Sequence, residues 1–278
     1  MSASAESKPS SLSVARVAVF GAAGRMGAEV CRAVAGADDL VLVGGVDPYH
    51  VGANLSEVTR ASVAADGVDA IGLAPSDLLD ARPDVAIDFT VHGAAMENLR
   101  WCAANGVHAV VGTTGFTDAD LAELRAAFTK SNCLIAANFA IGAVLMMRFA
   151  ELAAPFFETA EVIEYHHDAK VDSPSGTAIA TVNRMAAAKS SWAPDPTQKE
   201  VLAGARGARG AGDIRVHAVR MRGVVANQEV ILGATGQTLV IRHDTTDRTS
   251  FMPGVVLAAQ RIANHPGLTI GLDGFLGL

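Results

Sequence analysis

Val17-Ala18-Val19-Phe20-Gly21-Ala22-Ala23-Gly24-Arg25-Met26-Gly27 is the stretch that decides the fold. Residues 14–20 are rich in β-branched side chains, apart from Ala15, Arg16 and Ala18, and read as a strand. Gly21, Gly24 and Gly27 punctuate the turn that follows, and a helical pattern then runs to about Ala35. Residues 40–46 form a second apolar strand that ends on Asp47. Strand, glycine turn, helix and strand in that order make a βαβ unit.

This unit has the layout of a dinucleotide-binding fold. Glycine allows the tight turn and a close approach of a pyrophosphate, and the helix start supplies N–H groups. The middle position of the usual G-x-G-x-x-G is Ala23, so the pattern is the looser G-x-x-G-x-x-G. Asp47 strengthens it, because a carboxylate at that strand end can accept hydrogen bonds from ribose hydroxyls. It would repel a 2′-phosphate, and Pro48 brings no cation to compensate, so the local chemistry leans toward NADH over NADPH. Arg25 works in the other direction, as a guanidinium near a phosphate. The plainer alternative for Asp47 is a turn residue before Pro48.

Outward from the unit, strands and helices keep alternating. Residues 85–89 read as a buried strand, 94–105 as a helix closed by Gly106, and 108–111 as a strand leading into Gly112-Thr113-Thr114-Gly115-Phe116. Thr117 is placed to cap a helix carrying Leu121, Leu124 and Phe128, and residues 134–137 form another strand. Such alternation implies a parallel sheet with right-handed crossovers. Ligands on these sheets bind beyond the carboxyl ends of the strands, which points to Thr90, Gly112, Thr113, Thr114, Ala136, Ala137, Asn138 and Phe139. Taken alone, Gly112-Thr113-Thr114 is also an ordinary strand-to-helix turn.

The character changes after Asn138. A long apolar helix over residues 141–157 leads to a strand over 160–166 and a helix after Ser175. Residues 192–196 and 204–212 read as loops, the second carrying Arg206 and Arg209. Strand-like runs at 214–221, 229–234 and 239–243 have no helices between them, which indicates a mixed or antiparallel open sheet. A final helix, 250–264, returns to the first domain. The expected class is thus α/β: a Rossmann-type dinucleotide-binding domain with a second α+β domain. The first covers residues 1–138, with a disordered tail at 1–12, and is completed by 248–278; the second, 139–247, binds substrate and packs subunits through its open sheet face.

The second domain holds the densest chemistry in the chain: Glu164-Tyr165-His166-His167-Asp168-Ala169-Lys170-Val171-Asp172-Ser173-Pro174-Ser175-Gly176-Thr177-Ala178. Histidine is the side chain best matched to proton transfer near neutrality. Lys170 adds a compact cation with three donors. Ser175 is a plausible N-cap, and free N–H groups at Gly176 and Thr177 would form an anion site. Successive strand residues face opposite sides, so His166 and His167 serve different roles unless the strand ends there. Each piece alone is commonplace; their clustering is what points to a small anionic substrate. A metal site is disfavoured, since adjacent residues rarely converge on one ion.

Composition limits the classes. The chain has 278 residues, half of them hydrophobic and 18% charged, enough for one large domain or two ordinary ones. A net charge of −7 argues against a nucleic-acid binder. Cys31, Cys102 and Cys133 show neither metal spacing nor a disulfide framework, which fits a reducing cytosol. The longest apolar run ends at Arg148 and is too short to span a membrane.

The Gly21–Gly27 turn, Gly112-Thr113-Thr114-Gly115, Ala137-Asn138-Phe139, the His166 to Thr177 block, Val216-His217-Ala218-Val219-Arg220 and Asp247-Arg248-Thr249-Ser250-Phe251 occur here in one order. Together they resemble the 4-hydroxy-tetrahydrodipicolinate reductase (dihydrodipicolinate reductase) family of bacterial lysine and diaminopimelate synthesis, over nearly the whole chain from about Val14. The E-x-H-H-x-x-K-x-D-x-P-S-G-T block is the specific part. The resemblance implies proton transfer at His166 and Lys170, and substrate contacts at His167, Gly176 and Thr177. It implies NADH or NADPH held by Gly21, Ala22, Ala23, Gly24, Arg25, Met26, Asp47, Gly112, Thr113, Thr114, Ala136, Ala137, Asn138 and Phe139. It further implies a small cyclic dicarboxylate substrate, a homotetramer and a cytoplasmic location. Ala23 stands where glycine is frequent, Ser173 where alanine usually precedes Pro174, and no arginine neighbours Asp47 as in some members. Two other readings share parts of this pattern: another Rossmann oxidoreductase acting on an aldehyde or amino acid, and a non-catalytic nucleotide sensor.

Overall fold

A computed structural model describes residues 14–278 of the chain; the tail expected at residues 1–12 lies outside the described residues. In chain order the first elements are β1 (Ala15–Phe20), α1 (Arg25–Ala35), β2 (Leu40–Val46), a short α2 (Leu55–Thr59) and β3 (Val85–Asp88). Then come α3 (His92–Asn105), β4 (His108–Val111), α4 (Asp118–Ala127) and β5 (Cys133–Ile135). The middle of the chain forms α5 (Ile141–Ala153), β6 (Thr159–His166), α6 (Gly176–Ala188), β7 (Ala208–Arg209), β8 (Arg215–Arg220), β9 (Ala226–Ala234) and β10 (Gln237–Thr245). The chain closes with α7 (Met252–Arg261), β11 (Leu268–Ile270) and α8 (Asp273–Leu276).

These elements fall into two compact units: the residues up to Phe139 with Phe251–Leu278, and Ala140–Ser250. The first is built on a six-stranded parallel sheet of order β11-β5-β4-β3-β1-β2. Its strands read as continuous apolar runs because both faces are covered: Val17, Val19, Leu42, Val85, Ile87 and Val110 are fully buried. Phe139 belongs to this unit because its ring packs on Phe89, with centroids 5.9 Å apart, and its carbonyl lies against α7 at Gly254. Thr117 caps α4 with a reciprocal box: its hydroxyl accepts from the Asp120 N–H at 3.2 Å, and the Asp120 carboxylate accepts from the Thr117 N–H at 2.8 Å.

The second unit carries a five-stranded mixed sheet of order β10-β9-β6-β8-β7. Only β6 and β8 run parallel; β6/β9, β9/β10 and β7/β8 are antiparallel. On β6, Ala160, Val162 and Glu164 are buried while the residues between them are less so. The buried face is covered by α6, which also packs on α5, and α5 reaches β10. Val182 and Met185 of α6 are buried with Val216 of β8 and Val230 and Leu232 of β9.

Several boundaries differ from the sequence reading, each for a local reason. The helix expected at 141–157 ends at Ala153 in a 3-10 turn containing Pro155, whose ring cannot continue the ladder. The helix expected at 250–264 is three pieces, with 3-10 turns on either side of α7. Residues 204–212 are not all loop, since Ala208 and Arg209 pair with β8. The three residues of β11 went unread as a strand: Leu268 and Thr269 are half-buried and Ile270 is exposed, and their place beside β5 depends on a partner more than a hundred residues away.

Candidate functional site

In the first unit the glycine turn joins β1 to α1. Gly21 has φ of +73°, and a Cβ on Gly27 would sit 2.0 Å from the Gly21 carbonyl oxygen, so the helix can lie this close to the turn only with glycine there. Gly21 and Ala22 donate their N–H groups to the Val46 carbonyl at 2.8 and 3.1 Å, which locks the turn to the end of β2. The first N–H groups of α1, on Arg25, Met26 and Gly27, have no acceptor within their own helix and give that end a partial positive charge.

Asp47, next along from β2, is 6% exposed and faces that turn. Its carboxylate accepts from the Ala23 N–H at 3.2 Å and the Tyr49 N–H at 3.0 Å, and lies 3.2 Å from His50 Nδ1. A cleft of about 410 Å³ opens beside the turn, lined in part by Gly21, Pro48, Leu73, Thr90 and Trp101. N–H donors at a helix start, a carboxylate acceptor and an apolar-walled cleft next to both are the kinds of group that could hold a dinucleotide.

The remaining first-unit candidates lie past the carboxyl ends of β3, β4 and β5. Thr113 is buried, Gly112 and Asn138 are half-buried, and Thr114 and Ala137 are exposed. β5 ends at Ile135, so Ala136, Ala137, Asn138 and Phe139 all lie beyond the strand, although Ala136 and Ala137 were expected within it. Two organising residues were missed. Phe89 fills the space in front of Gly112, where a Cβ would meet its ring at 2.1 Å. Asp88, 1% exposed, accepts from Thr90 N–H and Oγ1, Asn98 Nδ2 and Thr113 Oγ1 at 2.9, 2.7, 2.8 and 3.1 Å. A carboxylate in the apolar run Val85-Ala86-Ile87-Asp88-Phe89 was the signal that could have revealed it.

In the second unit β6 ends at His166, so His167 is the first residue beyond the strand and the two imidazoles leave the sheet at different points. His166 Nδ1 lies 2.5 Å from Glu164 Oε2. Glu164 is fully buried and is also gripped by Arg220 through two 2.8 Å contacts, one to each carboxylate oxygen. Its Oε1 further accepts from the Ser175 N–H at 3.1 Å. Burial alone would raise the Glu164 carboxyl, but Arg220 and His166 outweigh it and hold the group below its ordinary value. Burial pushes the His166 imidazole down, Glu164 pulls it back up, and Lys170 and Arg220 push it down again; the net is below the ordinary histidine value.

Lys170 Nζ donates to both oxygens of Asp172 at 2.8 and 2.9 Å, and its N–H to the His167 carbonyl at 3.2 Å. Ser175 caps α6, its hydroxyl accepting from the Ala178 N–H at 3.2 Å. Gly176, exposed, and Thr177, half-buried, are the first two residues of that helix. Glu164, a residue that the sequence reading quoted without a role, is therefore the hub of this cluster, with Arg220. Its signal was available: Glu164 and His166 are two apart on a strand and share a face. The contact with Arg220, 56 residues on, had none.

The sequence comparisons decide the family. The description "Dihydrodipicolinate reductase, N-terminus" matches residues 15–139, and "Dihydrodipicolinate reductase, C-terminus" matches residues 142–276. The chain belongs to the dihydrodipicolinate reductase family. It is 49% identical over 271 residues to the 4-hydroxy-tetrahydrodipicolinate reductase of Thermobifida fusca, covering 95% of this chain and 99% of that one. To the enzyme of the same name from Streptomyces coelicolor it is 47% identical over 274 residues, covering 96% and 100%. Among solved structures it resembles a dipicolinate-bound dihydrodipicolinate reductase from Paenisporosarcina sp. TG-14, with a TM-score of 0.82 and 39% identity over 94% of this chain and 99% of the other. The chain is accordingly an oxidoreductase of lysine biosynthesis, in a family that uses NAD(P)H. No helix of the described residues is long and apolar enough to cross a membrane, and no group of three acidic, histidine or cysteine side chains among them could hold a metal ion.

Proposed function

We propose that this chain reduces 4-hydroxy-tetrahydrodipicolinate to tetrahydrodipicolinate, with His166 and Lys170 managing the proton and the start of α6 holding a substrate carboxylate. The observation that carries the reading is the joining of His166 and the capped start of α6 to one buried carboxylate in the second unit, and of the Lys170 loop to the arginine that clamps it. When bound, the nicotinamide supplies the hydride. The N–H groups of Arg25 and Met26 at the start of α1 would hold its pyrophosphate, Asp47 would accept from an adenosine ribose, and Gly112, Thr113, Thr114, Ala136, Ala137, Asn138 and Phe139 would supply the remaining contacts.

The second-unit groups do the rest. Lys170 is paired with Asp172, an exposed carboxylate, and such pairs contribute little, so a substrate carboxylate can replace Asp172 as its partner. His167 and the N–H groups of Gly176 and Thr177 supply further donors to a dianion. In the balanced reaction the 4-hydroxyl leaves as water with a proton from the neighbouring ring carbon, the hydride adds in its place, and His166 or Lys170 would supply the one proton that quenches the charge building on the ring.

Asp47 opposes a 2′-phosphate, which supports a preference for NADH, and the cell compartment in this reading is the cytoplasm. The open face of the second sheet, where Val240 is half exposed, supports assembly into a homotetramer. One assay tests the activity: mixing the protein with the freshly formed synthase product and NADH or NADPH should give loss of reduced-nicotinamide absorbance, faster with NADH. Absence of loss with both cofactors would defeat the reading, and a monomer at micromolar concentration by sedimentation would defeat the assembly.

A further inference from the structure

Glu164 makes more contacts than a strand carboxylate needs. It is fully buried, and its two oxygens accept from four donors on three segments: His166 Nδ1 on its own strand, Arg220 Nη1 and Nη2 on β8, and the Ser175 N–H at the start of α6. The parallel register sets Arg220 of β8 beside His166 of β6, which brings the guanidinium to the carboxylate. Arg220 Nη2 also donates to the Asp172 carbonyl at 2.8 Å, so the same guanidinium grips the loop that carries Lys170.

We infer that Glu164, clamped by Arg220, is the positioning residue of this site, fixing the His166 tautomer while holding the Lys170 loop and the start of α6 in one frame. The inference rests on the reading of His166 as a proton-transfer group. A carboxylate is an acceptor only, so the nitrogen facing it carries the proton. With Nδ1–H committed to Glu164, Nε2 is the nitrogen that takes and gives the transferable proton. Gln228, on β9 opposite Glu164 in the register, donates to Thr181 on α6 instead, which leaves Glu164 to these partners.

The arrangement also balances charge. The charged groups that act on His166 are Glu164 on β6, Arg220 on β8 and Lys170 in the following loop; on β9 its partner in the register is Ala226. Of these only Glu164 favours the imidazolium. Without its charge, desolvation and two cations would act on His166 unopposed, and a smaller fraction of the ring would carry the proton it is to give. Carboxylates that orient a metal-bound histidine matter by about 10–100-fold, and the same scale is expected for one that orients a proton-transfer histidine.

The test begins with the unaltered protein. Nitrogen NMR of ¹⁵N-histidine-labelled protein, with His166 assigned by difference from His166→Ala, should show the neutral ring protonated on Nδ1 and bare on Nε2. The opposite tautomer would overturn the inference, and this readout requires neither cofactor nor turnover. In Glu164→Gln the kcat should fall about 10–100-fold. The limb of kcat/KM that requires protonated His166 should move to lower pH, because the group that raises the imidazole is gone. The Kd for NADH, a property of the other unit, should stay within about twofold. A fall in kcat with the limb unmoved would mean a merely structural role and would overturn the inference. If Glu164→Gln does not fold, Arg220→Lys serves: it loses the bridge to the Asp172 carbonyl, and should raise substrate KM several-fold while the tautomer persists. Unchanged KM there would remove the loop-holding part. Near-normal turnover in His166→Ala would remove the proton-transfer reading itself, and the tautomer measurement would still report whether Glu164 fixes the ring.

Discussion

Asp88 in the first unit and Glu164 in the second are both carboxylates buried beside a strand end, yet they are satisfied in opposite ways. Asp88 accepts from an amide nitrogen, a backbone N–H and two hydroxyls, all of them uncharged. Glu164 is held by a guanidinium and an imidazole. Neutral donors tie β3, α3 and the turn after β4 together with no charge among the partners. A cation and an imidazole instead tie the second carboxylate to the residue proposed to transfer the proton. Burying a charge costs several kcal/mol unless it is paired or fully hydrogen-bonded, and the two sites show both solutions.

The largest expected effect lies on the rigid side of this comparison. Gly27→Ala should cost about 3 kcal/mol or more of stability, since a Cβ 2.0 Å from the Gly21 carbonyl forces backbone apart; denaturant unfolding reads it, and a wild-type midpoint would show that the turn gives way easily. Next, on the titrating side, Lys170→Ala should lower kcat about a hundredfold, equivalent to about 2.7 kcal/mol. Turnover within a few-fold of wild type would remove Lys170 from the mechanism.

Asp88→Asn should cost about 1–3 kcal/mol, because an amide turns part of its surface toward donors and leaves them unpaired. Its kinetic mark should be a higher cofactor KM with an unmoved pH profile, in contrast to Glu164→Gln; a shifted profile would erase the distinction between the two carboxylates. The smallest effect concerns the cap of α4. The N–H and hydroxyl of Thr117, helped by His92, hold Asp120 down to about 2. A depressed carboxyl stabilises the fold above its unfolded value of about 3.9, and that contribution disappears as pH falls toward 2. Thr117→Ala should lower the unfolding midpoint at neutral pH and lower it less near pH 2; an equal loss at both would show that the hydroxyl acts only as acceptor for the Asp120 N–H.

Much of the architecture is written locally. The glycine spacing from Gly21 to Gly27, the apolar strands and the caps at Thr117 and Ser175 each depend on a few adjacent residues, so they are legible in one dimension. The block from His166 to Thr177 is legible for the same reason. The shape of the second sheet was less so: β6 sits between β9 and β8, an order that no run of neighbouring residues specifies. The place of β11 beside β5 was missed because strand pairing is a property of two distant segments.

The three cysteines show the same division. Their lack of metal or disulfide spacing was visible at once, but only packing shows that all three are buried free thiols, with burial pushing Cys31 up to about 12. The sequence by itself determined the Rossmann-like half, the block from His166 to Thr177 and, through its motif, the family. Tertiary structure alone decided that Arg220 meets Glu164, that Glu164 takes His166 by Nδ1, and that Asp47 reaches back to the Ala23 N–H. Spacing along a chain carries local geometry, whereas the electrostatic setting of a group depends on what the fold brings to it from far away in sequence.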